Sequence, residues 1–355
     1  MIDSKETLWI SHSAIRNFDN CSRLYYFANI YRNPDTGNRV QIVNPYISLG
    51  SAVHEVIDEL LDLSPSKRTK TSLLGRLERV WSRYEGKVGG FVSPKQEAEF
   101  KKRGVNMIKK VEKSDILSKK ALRRDDNLPK MTLYDGIQLV GSFDWIEVLP
   151  NNSLHIIDFK TGKSKESSDS LQLPIYQILA KSNYKKEVEK LSYWYLETSS
   201  NLTTQKSVDS EKALVKIKKK AIKIKETIDT SNFSCDSPYN RCFWCRKYEN
   251  IISGKAERVG TDEKMQKDLF YITNSDDVVR KIEESNFLNK DEKKIFRMRM
   301  ENETLKKVKE DSGKTSKEIK DLILSIKKKI KTNLSPRELK VFVEELSKSD
   351  NRLAL

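Results

Sequence analysis

The chain has 355 residues, 33 % of them charged and 37 % hydrophobic, and its 67 Lys+Arg against 51 Asp+Glu give a formal charge of +16. That length suggests two domains, with apolar material for a core in at least the larger one. No apolar run approaches the roughly 18 residues of a membrane span, so no membrane partner is expected, and the cationic excess points to a polyanion, nucleic acid first.

In chain order, Trp9 to Phe27 opens with Ser11 and Ser13, either of which can cap a helix with Ile15, Phe18 and Leu24 on its apolar face. Cys21 falls near the end of that helix, and a polar loop follows over 33–38. A second helix is expected from about Ser48, with Val53, Val56, Ile57, Leu60 and Leu61 as its buried stripe. Gly50, Ser51 and Ala52 leave room for close backbone packing ahead of His54, which has Glu55 and Asp58 within a turn. A lone histidine in such a place is ordinarily structural.

Residues 62–130 read as helical and polar, with breaks at Ser64-Pro65, Gly89-Gly90 and Ser93-Pro94. Lys101-Lys102-Arg103, Lys109-Lys110 and Arg123-Arg124 supply basic faces. Gly86 to Gly90 lacks the Gly-Lys-Ser/Thr ending of a phosphate-binding loop, so no ATPase motor is expected.

Gly141 to Glu147 reads as a strand that turns at Pro150-Asn151-Asn152 into a second, apolar and β-branched strand, Leu154 to Lys160. Asp158 and Lys160 are two apart and share a face, and Asp144 on the neighbouring strand reaches the same spot. Two carboxylates on adjacent strands make a hard-oxygen site for Mg²⁺ or Mn²⁺. A lysine beside them can orient a water or stabilise charge on a scissile phosphate. Ser170 to Asn183 reads as a helix with Gln172 and Tyr176 on one face; residues 191–198 form a further strand, and a basic helix runs from about Ser210 to Asp229.

The four cysteines are Cys21, Cys235, Cys242 and Cys245. Met1 to Glu6 carries no apolar leader, so the expected compartment is the cytoplasm, where thiols stay reduced and serve as metal ligands. The Cys-x₂-Cys pair suits one metal or cluster, and Cys235 is close enough to join. Gly254 to Asp262 reads as a linker, and beyond it the chain turns more charged and more helical. Leu305–Glu310, Ser312-Gly313 and Ser316–Lys331 give helix, turn, helix. In a helix-turn-helix, Lys317, Lys320 and Lys327 to Lys329 would face phosphates; a helical hairpin that only packs on its neighbour or binds another protein has equal claim.

Taken together, Gly50-x-x-x-His54, Gly141-x-x-Asp144, Asp158-Phe159-Lys160-Thr161-Gly162 and Gln172-x-x-x-Tyr176 resemble the motifs of the PD-(D/E)XK nuclease superfamily, in its RecB-type branch. The opening Ser11-x-Ser13-x-Ile15-x-x-Phe18-x-x-Cys21-x-x-x-Tyr25-Tyr26 is similar to that branch as well. The resemblance implies an α/β, restriction-endonuclease-like core over residues 1–258, a central mixed sheet flanked by helices, followed by a small all-α basic domain over 259–355. It implies a metal held by His54, Asp144, Asp158 and the Phe159 carbonyl, with Lys160 placing the water or the charge. Gln172 and Tyr176 would support the lysine and contact the nucleic-acid strand. Iron–sulfur members of the branch place one cysteine before the core and three after it, so Cys21, Cys235, Cys242 and Cys245 would hold a [4Fe-4S] cluster. Here the extra cysteine precedes the pair rather than following it, which leaves Zn²⁺ in a Cys₄ site open. The implied activity is metal-dependent hydrolysis of DNA with single-stranded ends, as an exonuclease of repair or recombination, and a helicase partner fits that role. The competing expectation is an inactive DNA-binding or scaffold protein of the same fold, against which the intact Asp144, Asp158 and Lys160 argue.

Overall fold

The computed structural model describes residues 7–123, 128–205, 209–237, 242–300 and 304–348, without side-chain detail at 276 and 345–348. Met1 to Glu6, Arg124 and the 238–241 part of the cysteine segment lie outside the described residues. Ten strands occur among them: β1 Leu8–Ile10, β2 Arg39–Ile42, β3 Lys130–Tyr134, β4 Ile137–Val140, β5 Trp145–Val148, β6 Leu154–Lys160, β7 Val188–Tyr195, β8 Thr203–Gln205, β9 Glu257–Asp262 and β10 Lys267–Tyr271.

The central sheet has the order β5-β6-β7-β8. β5 and β6 form the expected antiparallel hairpin, from Trp145↔Ile157 to Val148↔Leu154. β6 then runs parallel to β7, and the helix Gln172–Tyr184 makes the crossover. Strands covered on both faces read as unbroken apolar runs, and β6 does so. Leu154 and Ile156 pack into one core with the crossover helix, while Ile157 and Phe159 pack into a second core under the helices Pro45–Asp58, Leu73–Trp81 and Pro94–Glu112. Burying the second core takes Trp81, Trp145 and Trp194 almost wholly out of water.

Four expectations need correction. The strand begins at Trp145, so Asp144 sits in the segment entering it. The helix carrying His54 begins at Pro45, because Asn44 accepts hydrogen bonds from the Tyr46 and Ile47 amides and proline suits the first helical position. The 62–130 stretch is helical up to Glu112, but Lys130 already opens a strand pair, β3 and β4, around Gly136 at φ 71°. The linker expected over 254–262 contains β9, and the boundary expected at 258 falls inside that strand.

β9 is paired because β10 joins it antiparallel while lying parallel to β2 near the N-terminus. Asp268 on β10 is fully buried and ties this sheet together. It accepts from Asn33 Nδ2 at 2.6 Å, Asn38 Nδ2 at 3.2 Å, Arg258 at 2.9 Å and Thr261 at 3.1 Å, and also from Thr36. The region expected to be all-α therefore starts with a strand pair belonging to the N-terminal body.

Five helices follow, Ser275–Glu284, Lys290–Met300, Leu305–Ser312, Ser316–Asn333 and Pro336–Lys348, around a separate core that includes Val278, Phe296, Ile326 and Phe342. The expected helix, turn, helix is present, with Gly313 in the left-handed region closing Leu305–Ser312. Lys329 is not free for phosphate as expected: buried Glu292 holds it at 2.7 Å. Among the described residues no helix is long and apolar enough to cross a membrane.

Asp268→Ala removes the acceptor of five donors at once, Asn33 buried and Asn38 half-buried among them. It is expected to cost about 3 kcal/mol of stability, read as a lower urea midpoint with an unchanged slope.

Candidate active site

The site forms where β6 ends. Asp158 and Lys160 share one face of the strand, with Lys160 Nζ 2.9 Å from Asp158 Oδ2. Asp144, in the segment entering β5, accepts the Phe159 amide on Oδ2 at 2.8 Å, so the neighbouring strand fixes that carboxylate in place. Its other oxygen lies 3.3 Å from His54 Nδ1, brought in by the helix Pro45–Asp58. Gly50 lets that helix approach, since a Cβ there would meet Thr161 Oγ1 at 3.2 Å.

Gln172 opens the crossover helix and bridges the two working groups. Its Oε1 accepts from Lys160 Nζ, and its Nε2 donates to Asp158 Oδ1 at 2.8 Å and lies 3.3 Å from the Tyr176 hydroxyl. Gly141 is needed for this packing: a Cβ there would come within 2.8 Å of Leu179 Cδ1 on the same helix. The Tyr176 ring meets Phe143 edge-on at 5.2 Å. His54, Asp144, Asp158, Phe159, Lys160, Gln172 and Tyr176 all line one cleft of about 590 Å³. Phe159 contributes its backbone there, while its ring is buried against Trp194, 5.6 Å away.

Burial, and then the Asp144 carboxylate, push the Asp158 carboxyl up to about 7. Burial opposes charge on His54, but Asp144, Asp158 and Asp58 outweigh it and hold the imidazole up at about 9. Asp158 Oδ2 is buried and faces the Lys160 ammonium at 2.9 Å as an ion pair. A carboxylate placed this way beside a second carboxylate and an imidazole suits a divalent cation, whose charge reverses the cost of ionising both acids.

Two residues escaped the sequence reading. Glu166 Oε1 lies 3.3 Å from Lys160 Nζ, and His12 lines the same cleft. Burial and then Arg16 press the His12 imidazole down to about 4, so it is neutral near pH 7. Its neighbours Ser11 and Ser13 were read as cap candidates and as part of the opening motif, and Ser11 does cap through the Ala14 amide. Glu166 sits in a polar loop with no pattern to mark it.

The cysteines form a second centre. Cys21 follows the helix His12–Asn20; Cys242 caps the helix Phe243–Ile252 and Cys245 lies in its first turn. With Cys235 their sulfurs all lie within 4.8 Å of one another. Burial raises the Cys21 thiol to about 12 and the Cys245 thiol to about 11, a cost that a bound cation removes. The Phe27 and Tyr248 rings stack at 5.9 Å and Arg23 meets Glu249 at 3.1 Å, so the centre joins the start of the chain to residues 235–252.

A carboxylate ahead of one strand and Asp-x-Lys at the end of the next make an arrangement that could hold a divalent cation beside an ammonium. Residues 9–248 match the family model of the PD-(D/E)XK nuclease superfamily, and the chain belongs to that superfamily. The match runs from β1 into the cysteine-bearing helix and so spans every site residue above. No individual curated protein matches the chain.

The raised His54 and Asp158 values act in one direction. Each makes the folded, metal-free protein bind more protons than the unfolded chain: Asp158 between its ordinary 3.8 and about 7, His54 between 6.5 and about 9. The contribution of His54 is complete below pH 6.5 and is lost as pH rises through about 9. In EDTA the melting temperature is therefore expected to fall by a few degrees across that range, and His54→Gln should flatten the fall.

Proposed function

We propose that the protein is a Mg²⁺- or Mn²⁺-dependent deoxyribonuclease, an exonuclease acting on DNA with single-stranded ends in repair or recombination. The observation that carries the reading is the buried Asp158 carboxylate, ion-paired with Lys160 in a cleft that Asp144 and His54 also line. Asp144, Asp158 and His54 would hold the cation, with the Phe159 carbonyl as a further ligand. When bound, such a cation supplies Lewis acidity and a more acidic water.

The remaining work falls to the chain's own side chains. Gln172 and Glu166 hold the Lys160 ammonium at the cleft wall, where it can pair with a phosphate oxygen. Gln172 also holds Asp158 Oδ1, and Lys160 faces the other oxygen, which a bound cation would share with it. The formal charge of +16 supports a polyanionic substrate. Lys317 and Lys320 are exposed on the second helix of the helix-turn-helix pair, which we read as a DNA-binding element that assists the core. A helicase partner is compatible with this role.

For the four thiols we infer a [4Fe-4S] cluster, as in the iron–sulfur members that the sequence resembles. Zn²⁺ is the second reading, favoured by spacing. Cys242 and Cys245 sulfurs are 3.6 Å apart, near the roughly 3.8 Å expected between thiolates around one tetrahedral zinc with bonds of about 2.3 Å.

End-labelled single- and double-stranded DNA with Mg²⁺ or Mn²⁺ tests the activity. Asp158→Ala and Lys160→Ala should each abolish cleavage, and Gln172→Leu, which only unties their positions, should slow it by about 10- to 100-fold. Cleavage at the wild-type rate by either alanine variant removes the assignment.

Anaerobically purified protein should be brown, and Cys245→Ser should lose both the colour and several degrees of thermal stability. A colourless protein with one zinc per chain selects the second reading, and a metal-free wild type rejects both.

A further inference from the structure

The sheet β1-β4-β3 has one face that the core leaves open. Ile10, Leu133, Ile137 and Leu139 turn inward and are buried. Trp9, Lys130 and Thr132 are exposed on the other face, Trp9 at 49 %. The register sets Trp9 opposite Gln138 and Gln138 opposite Thr132, and the Gln138 amide donates to the threonine hydroxyl at 2.8 Å. The exposed indole carries a cation: Lys130 Nζ lies 5.8 Å from the Trp9 ring centre.

This face is continuous with the catalytic cleft. β1 and β4 run parallel, and the segments leaving their carboxyl ends, Ser11 to Ser13 and Val140 to Ser142, both line the cleft. Trp9 stands two residues before Ser11, about 7 Å along an extended strand.

We propose that this face is a track for single-stranded DNA leading into the cleft, with Trp9 as a base-stacking platform and Lys130 as a phosphate partner. The proposal rests on the nuclease reading above and names where its substrate approaches. Aromatic rings that accept base stacking, interleaved with cations that follow the backbone, are what single strands require. A duplex offers its phosphates to the lysine but keeps its base faces stacked inside, so Trp9 has nothing to gain from it. Charge and continuity with the cleft favour this occupant over an apolar protein surface, for which Lys130 would be a desolvation cost.

The test uses the full chain in EDTA, so that binding is read without hydrolysis. Anisotropy of a labelled oligothymidylate is compared with that of the same strand annealed to oligodeoxyadenylate. Trp9→Ala should weaken the single strand about tenfold and change the duplex less than about twofold, while Trp9→Phe should keep most of the affinity. Unchanged single-strand binding, an equal loss on both ligands, or a phenylalanine variant as weak as alanine each overturns the proposal; melting curves run alongside identify a loss due to misfolding. If the wild type binds through Trp9 but never cuts when Mn²⁺ is added, the nuclease reading fails and the track stands.

Discussion

Asp158 is a carboxylate held out of water next to a second carboxylate, and most of the N-terminal body serves that constraint. Its strand is buried on both faces, so no solvent offsets the charge. The fold leaves three ways to meet the cost: a proton, the neighbouring ammonium, or a cation. The ammonium is shared, staying 2.9 Å from Asp158 while it also meets Gln172 and Glu166, and His54 is partnered with Asp144 rather than with Asp158. A divalent cation would supply the charge that one shared ammonium meets only in part.

The surrounding elements are arranged by how closely backbones can approach. Two glycines, Gly50 and Gly141, bring two helices against the same strand end from either side. A methyl group at Gly141 would press on Leu179 and push the helix that carries Gln172 away from Lys160. Packing at a distance thereby sets the hydrogen bonds within the site, and rigid elements supply the placement that catalysis depends on.

Much of this was legible in the sequence, for identifiable reasons. The Asp158–Lys160 pair lies on a strand whose period of two fixes their common face, and Gln172 and Tyr176 lie on a helix where a spacing of four does the same. The basic helix lies where it was expected, Ser210 to Asp229, and the structure shows Asp209 capping it. β3 and β9 were missed because each is short and mostly polar, even though each pairs through a local hairpin, β3 with β4 and β9 with β10; the β9 segment, with Gly254 and Gly260, also mimics a linker. His12 and Glu166 enter the cleft from loop and cap positions, where no period reports the direction of a side chain. The grouping of four cysteines agrees with the spacing argument, but the ion they prefer depends on geometry that spacing does not contain.

The pairing of β2 with β10 has a consequence for how the chain reaches this state. Gln41 and Lys267 join across 226 residues, and among the described strands β2 has no ladder partner other than β10. Cys21 likewise waits for Cys235, Cys242 and Cys245. During synthesis at about 5–20 residues per second, the first forty residues therefore emerge long before their partners exist. They spend that interval with an open strand edge and an unmatched thiol, the states in which a nascent chain is most open to mispairing. The nuclease body closes only when residues near Tyr271 arrive, so its N-terminus is the first part made and among the last to be fastened.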